Sequence, residues 1–93
     1  PFIANNSIAG NHGAGIWFST SYGNYAPVIQ NNLIAYNTWG LEQLGNSYAP
    51  TIKNNCLYGN VLQGRNTNYH GIADQTDLNG NISADPKLEN HKF

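Results

Sequence analysis

The chain has no methionine and a single cysteine, Cys56. One thiol forms no internal disulfide, and no cysteine pair is available for a zinc site. Charge is equally scarce, at 10% of residues and a net charge of -1. Four Lys and Arg, scattered over the length, make no basic patch, which argues against nucleic acid as a partner. No apolar run reaches the roughly eighteen residues needed for a membrane span. The charged, aromatic-poor profile of a disordered chain is missing too. No signal-like segment opens the sequence at Pro1-Phe2-Ile3.

What fills the space is polar and neutral: sixteen Asn, ten Gly and six Tyr. With 93 residues the chain makes one small domain. A chain of this size buries only about 60–65% of its unfolded surface, so its stability margin is thin.

An internal repeat organises these residues. Pro1-Phe2-Ile3-Ala4-Asn5-Asn6-Ser7-Ile8-Ala9-Gly10-Asn11 returns as Pro27-Val28-Ile29-Gln30-Asn31-Asn32-Leu33-Ile34-Ala35-Tyr36-Asn37. It returns again as Pro50-Thr51-Ile52-Lys53-Asn54-Asn55-Cys56-Leu57-Tyr58-Gly59-Asn60. A second element follows each copy: Gly15-Ile16-Trp17-Phe18, Gly40-Leu41-Glu42-Gln43 and Gly71-Ile72-Ala73-Asp74. Pro, Gly and Asn disfavour helix interiors, and no stretch shows an apolar stripe at helical spacing. Short apolar pieces bounded by Asn or Gly read as strands. Asn tolerates the left-handed conformation, so Asn-Asn suits a sharp bend between two of them.

Each period then holds three short strands, and stacked periods pair as parallel strands about 4.8 Å apart. Three inward columns are expected: Ile3, Ile29 and Ile52; Ile8, Ile34 and Leu57; Ile16, Leu41 and Ile72. Asn6, Asn32 and Asn55 stack as a side-chain ladder, since a carboxamide can bond both above and below. The spacing places Ile82 next in the first column. Ala84-Asp85, followed by Pro86, replaces the Asn pair and ends the ladder.

The Pro-x-Ile-x-Asn-Asn-x-Ile-x-x-Asn repeat, with Gly-Ile between copies, resembles the right-handed parallel β-helix of the pectate-lyase-like superfamily. The tail Asn81-Ile82-Ser83-Ala84-Asp85-Pro86-Lys87-Leu88 resembles the closing segment of such proteins. The fold expected is all-β, a right-handed parallel β-helix (solenoid) of about four coils with three short strands each. The coils divide at 1–26, 27–49, 50–78 and a closing coil 79–93. A fold of this kind hosts many activities, so function has to come from particular residues. Four coils make a column only roughly 19 Å tall, with strand edges open at its first end. The chain is therefore expected to be the C-terminal portion of a longer solenoid, its partners being upstream coils or, failing those, an end-to-end copy.

The resemblance implies polysaccharide binding on one sheet face and its neighbouring loops. With Ile16 and Leu41 inward, Trp17 and Glu42 point outward in adjacent coils, with Ala73 next below. Trp17 and Glu42 are candidate contacts, joined by Trp39, Tyr25 and Tyr48 in the connecting turns; covering of a neighbouring loop by Trp17 and an aromatic stack of Tyr25 on Tyr48 are the bland alternatives. Glycoside hydrolysis usually takes two carboxylates about 5–9.5 Å apart. Glu42 and Asp74 fall in successive coils, but strand alternation turns Asp74 away. No catalytic residue is assigned. Asp77-x-Asn79-x-Asn81 echoes a calcium loop, yet Gly80 is misplaced and no Glu follows, so an Asx-rich turn is preferred. No metal site and no cofactor are expected, calcium being the one alternative. His12, His70 and His91 share no ligand spacing and read as loop residues. Cys56 reads as a strand residue.

Three functions remain open at this level: an extracellular or cell-surface scaffold that binds polysaccharide, part of a polysaccharide lyase or glycosidase whose active residues lie upstream, and a purely structural or self-associating solenoid.

Overall fold

A computed structural model describes residues 2–19, 27–45 and 50–88. The first repeat carries β1 (Phe2–Ala4), β2 (Ser7–Ala9) and β3 (Ala14–Ser19). The second carries β4 (Val28–Gln30), β5 (Leu33–Ala35) and β6 (Trp39–Leu44). The third carries β7 (Thr51–Lys53), β8 (Cys56–Tyr58), β9 (Val61–Leu62), β10 (Arg65–Asn66) and β11 (Tyr69–His70). No helix occurs among the described residues.

Strands of three residues need a cause, and the backbone supplies it. The residue before each interior asparagine is left-handed. Asn5, Asn31, Asn54 and Gly80 have φ of 62°, 59°, 56° and 77°. They precede Asn6, Asn32, Asn55 and Asn81. Gly10, Tyr36 and Gly59, at 75°, 58° and 66°, precede Asn11, Asn37 and Asn60. A single left-handed residue breaks an extended run and turns the chain, and Gly and Asn adopt it at least cost. Each repeat therefore bends at two fixed places, and its first two strands are short.

The strands pair in parallel across repeats. Three three-stranded sheets form, ordered β1-β4-β7, β2-β5-β8 and β3-β6-β11. Ile3 pairs with Ile29 and Ile29 with Ile52. Ile8 pairs with Ile34 and Ile34 with Leu57. Ile29, Ile34, Leu41 and Leu57 are fully buried, and Ile16, Phe18 and Ile52 nearly so. These seven form one apolar cluster.

Two asparagine ladders line the bends. In the first, Asn6 Nδ2 donates to Asn32 Oδ1 at 3.2 Å, Asn32 to Asn55 at 3.1 Å and Asn55 to Asn81 at 3.1 Å. Each oxygen also accepts the backbone N–H of the preceding rung, as Asn55 Oδ1 does from Asn32 at 3.0 Å. The second proton of each interior amide goes to a carbonyl one repeat back, Asn32 to Ile3 and Asn55 to Ile29. Asn55 thus uses both Nδ2 protons and receives two donors at Oδ1, which completes a carboxamide's hydrogen bonding. A second ladder, absent from the sequence-based expectation, links Asn11, Asn37, Asn60 and Asn68 through the same geometry.

Three expectations are corrected. Leu41 pairs with Tyr69, so the third column is Ile16, Leu41 and Tyr69. Ile72 only packs against the core's margin. The Gly71-Ile72 dipeptide misleads because Gly71 is needed for another reason. Its φ is +79°, and an added Cβ would strike the Gln43 carbonyl. Ile82 bridges Cys56 in the second sheet rather than continuing the first column, and it is 50% exposed. Gly80-Asn81, not Ala84-Asp85, replaces the Asn pair. The reason is a compact turn in which Leu78 N–H donates to Gln75 and Asn81 N–H to Leu78, lifting Asn81 under Asn55. Finally, the stretch from Asn60 to His70 is not a plain loop. It holds the antiparallel β9–β10 hairpin, with Arg65 opposite Leu62.

Candidate functional site

On β3 the side chains of Ile16 and Phe18 turn inward, so Trp17 between them faces solvent and is 57% exposed. Glu42 is its register partner on β6, and His70 on β11 is the partner of Glu42. One outward column therefore runs Trp17, Glu42, His70. His70 replaces Ala73 as the residue below Glu42 and is no loop residue. Its Nδ1 lies 3.2 Å from Glu42 Oε2. An exposed ion pair of this kind contributes little to stability, but it holds the carboxylate in one orientation.

Trp39 opens β6 rather than lying in a turn. Its ring stacks on His70, centroids 5.4 Å apart and planes 21° from parallel. Two indoles, a carboxylate and an imidazole thus occupy one outer face. Such a face offers flat apolar rings beside hydrogen-bonding groups, the composition of a site for a ligand with both kinds of surface. Tyr25 and Tyr48 lie outside the described residues.

No sequence spacing would have found His70. The interval from the second-ladder asparagine to the inward residue of the third sheet is five residues for Asn11–Ile16, four for Asn37–Leu41 and one for Asn68–Tyr69. The β9–β10 hairpin displaces the count, and only the pairing restores it.

Inward of this face, Tyr69 carries a buried hydroxyl that no described residue bonds. Burial pushes its phenol well above the ordinary 10.0, and the nearby Asp74 and Cys56 add to the shift. Asp74 itself is held below the usual carboxylate range by hydrogen bonds from the Thr76 hydroxyl and the Thr76 N–H, the latter at 2.8 Å. Glu42 and Asp74 share no printed contact and form no acid pair.

The calcium-like Asp77-x-Asn79-x-Asn81 segment is a turn in which Asp77 N–H donates to the Asn81 carbonyl. The Asn81 side chain faces away from it into the first ladder, fully buried. Cys56 sits on β8 with Sγ 3.3 Å from the Ala84 carbonyl. Among the described residues no group of three or more His, Cys, Asp or Glu gathers as a metal would require. No helix among them is long and apolar enough to cross a membrane.

A family model described as periplasmic copper-binding protein (NosD) matches residues 2–86. The chain belongs to the NosD family. No curated protein and no solved structure matches it. The matched span covers all three sheets, both ladders and the Trp17–Glu42–His70 column of this NosD-family chain. Its periplasmic description agrees with the placement outside the cytoplasm expected from the sequence.

Proposed function

We propose that the chain is a portion of a right-handed parallel β-helix of about four coils, similar to pectate-lyase-like proteins, with coils at 1–26, 27–49, 50–78 and 79–93. It serves outside the cytoplasm as a non-catalytic scaffold that binds polysaccharide on the outer face of the third sheet. Trp17 stacks on a sugar ring, Glu42 accepts a hydroxyl proton, and His70 with Trp39 steadies Glu42. The observation that carries this reading is the 57% exposure of an indole set in register with a carboxylate. Large exposed aromatics beside polar groups mark binding faces more often than bare surface.

The family's copper does not fit the described residues. The chain has no methionine. Its described Cys56 thiol is turned to a carbonyl, His70 is paired with a carboxylate, and no third ligand joins either. The lyase or glycosidase alternative has one carboxylate on this face, Glu42, and no second acid beside it among the described residues.

The test is titration of the chain with pectin and other acidic polysaccharides, with and without calcium. Saturable binding by the native chain, weakened at least about tenfold in Trp17→Ala, is expected for a lost aromatic anchor. Identical binding by both, or cleavage of the polymer, would replace the proposal with a structural or an enzymatic role.

A further inference from the structure

The ladders have a direction. At every junction one asparagine donates through its N–H and Nδ2, and the asparagine of the following rung accepts at Oδ1. The second ladder runs the same way. Each molecule therefore has a donor end and an acceptor end.

The donor end is closed by its own chain. Asn81 gives its N–H to Leu78 O at 2.9 Å. It gives its Nδ2 to Ile52 O at 2.9 Å and Leu78 O at 2.7 Å. Asn68 gives its N–H to Asn66 Oδ1 at 2.9 Å and its Nδ2 to Leu57 O at 3.2 Å. The acceptor end is open. Among the described residues no donor reaches Oδ1 of Asn6 or Asn11. The second proton of Asn6 Nδ2, which interior rungs send one repeat back, goes to its own Ala4 carbonyl at 3.0 Å. The outer edges of β1, β2 and β3 have no strand beside them among the described residues. Phe2 is 65% exposed on β1.

We infer that this end binds, by parallel strand addition, one further repeat that carries asparagine at both ladder positions. Such a segment supplies two N–H and two Nδ2 donors to Asn6 and Asn11, carbonyls for their amides, and aliphatic side chains over Ile3 and Ile8. Main-chain pairing gives the affinity and the asparagines give the register. A second copy of the described structure does not fit. Its acceptor end would set carboxamide oxygens against carboxamide oxygens, and the donors of its other end are already engaged. The inference rests on the stacked-repeat architecture and is independent of sugar binding.

The probe is a synthetic peptide with the sequence of residues 27–37, added to the full chain and followed by amide hydrogen exchange and calorimetry. One peptide binds per chain and slows exchange in β1 and β2. The peptide with Asn32→Ala and Asn37→Ala binds at least about tenfold more weakly, because it leaves the two oxygens unmet. Equal binding by both peptides overturns the inference, as does an absence of protection in β1 and β2 at millimolar peptide. Dimers of the chain through β1 and β2 without peptide would also overturn it, by making a second copy the occupant. Fast exchange at the Asn32 and Asn55 amides of the free chain would instead strike the stacked architecture itself. The Trp17→Ala chain binds the peptide as the native chain does, which separates this edge from the sugar face.

Discussion

The first two repeats and the third are built from the same sequence pattern and end differently. In the first two, the chain leaves the second bend at Asn11 or Asn37 and enters the third sheet within a few residues. In the third, it leaves Asn60, makes the exposed β9–β10 hairpin and comes back at Asn68 directly below Asn60, with 2.8 Å between Nδ2 and Oδ1. A rung of the ladder is thus a place in space and not an offset in sequence. Any detour is tolerated if the chain returns with an asparagine where the donors point. Surface excursions carry little energetic penalty beyond loop closure, whereas a buried donor left unpaired is costly.

The sharpest way to test that contrast is a charge in each region. Ile34→Asp puts an unpaired carboxylate in the fully buried second column and abolishes the β-sheet circular dichroism spectrum. Val61→Asp in the exposed hairpin shifts stability by no more than about 0.5 kcal/mol in urea denaturation. Unfolding by Val61→Asp would make the hairpin part of the core.

The same pairing applies to asparagines. Asn55→Ala strands Asn32 N–H, Asn32 Nδ2 and the Ile29 carbonyl, all buried. A loss on the order of 3 kcal/mol follows, a large share of a small domain's stability. Asn66→Ala removes one exposed cap on Asn68 and costs about 1 kcal/mol. Equal losses would deny the interior ladder its special standing.

Glycines extend the series. A Cβ at Gly40 would meet Leu57 Cδ2 at 2.9 Å and Asn60 Nδ2 at 3.0 Å, besides the Asn68 carbonyl. Gly40→Ala therefore overpacks the point where the third repeat docks, lowering stability by about 1–3 kcal/mol. Gly64→Ala, at the hairpin tip with open space around it but φ of +77°, costs only the left-handed penalty of about 1 kcal/mol.

The smallest effect concerns the phenol that the third repeat sets where the others have aliphatic side chains. Tyr69 has a raised pKa, so the stability it confers is fully present below 10.0 and is lost as pH rises from there toward the folded value. Tyr36, raised by burial and by Asp85, whose Oδ1 accepts its hydroxyl proton, acts in the same direction. Tyr69→Phe leaves the neutral-pH melting temperature unchanged or slightly higher, since the hydroxyl has no described partner, and reduces the alkaline loss. A steep fall in melting temperature at pH 7 would reveal a hydrogen bond to that hydroxyl.

How far the sequence reaches follows the same division. The pairing of Ile3, Ile29 and Ile52, and of Ile8, Ile34 and Leu57, was legible because the residues from Pro to the closing Asn keep equal spacing in every copy. Asn11, Asn37 and Asn60 were equally regular, yet a closing polar residue also reads as surface, and nothing local says that it is buried. Tyr69 and His70 were illegible because the hairpin hides their offset behind a Gly-Ile decoy at positions 71 and 72.

Local chemistry in the sequence determined the bends, the short strands and the inward aliphatic positions, because left-handed preference and alternation act between neighbours in the chain. Tertiary structure alone decided which asparagine fills each rung after Asn60, that His70 stands below Glu42, and which end of the ladders is closed. Those depend on hydrogen bonds between residues from 8 to 28 positions apart, whose partners are chosen by direction and distance in space.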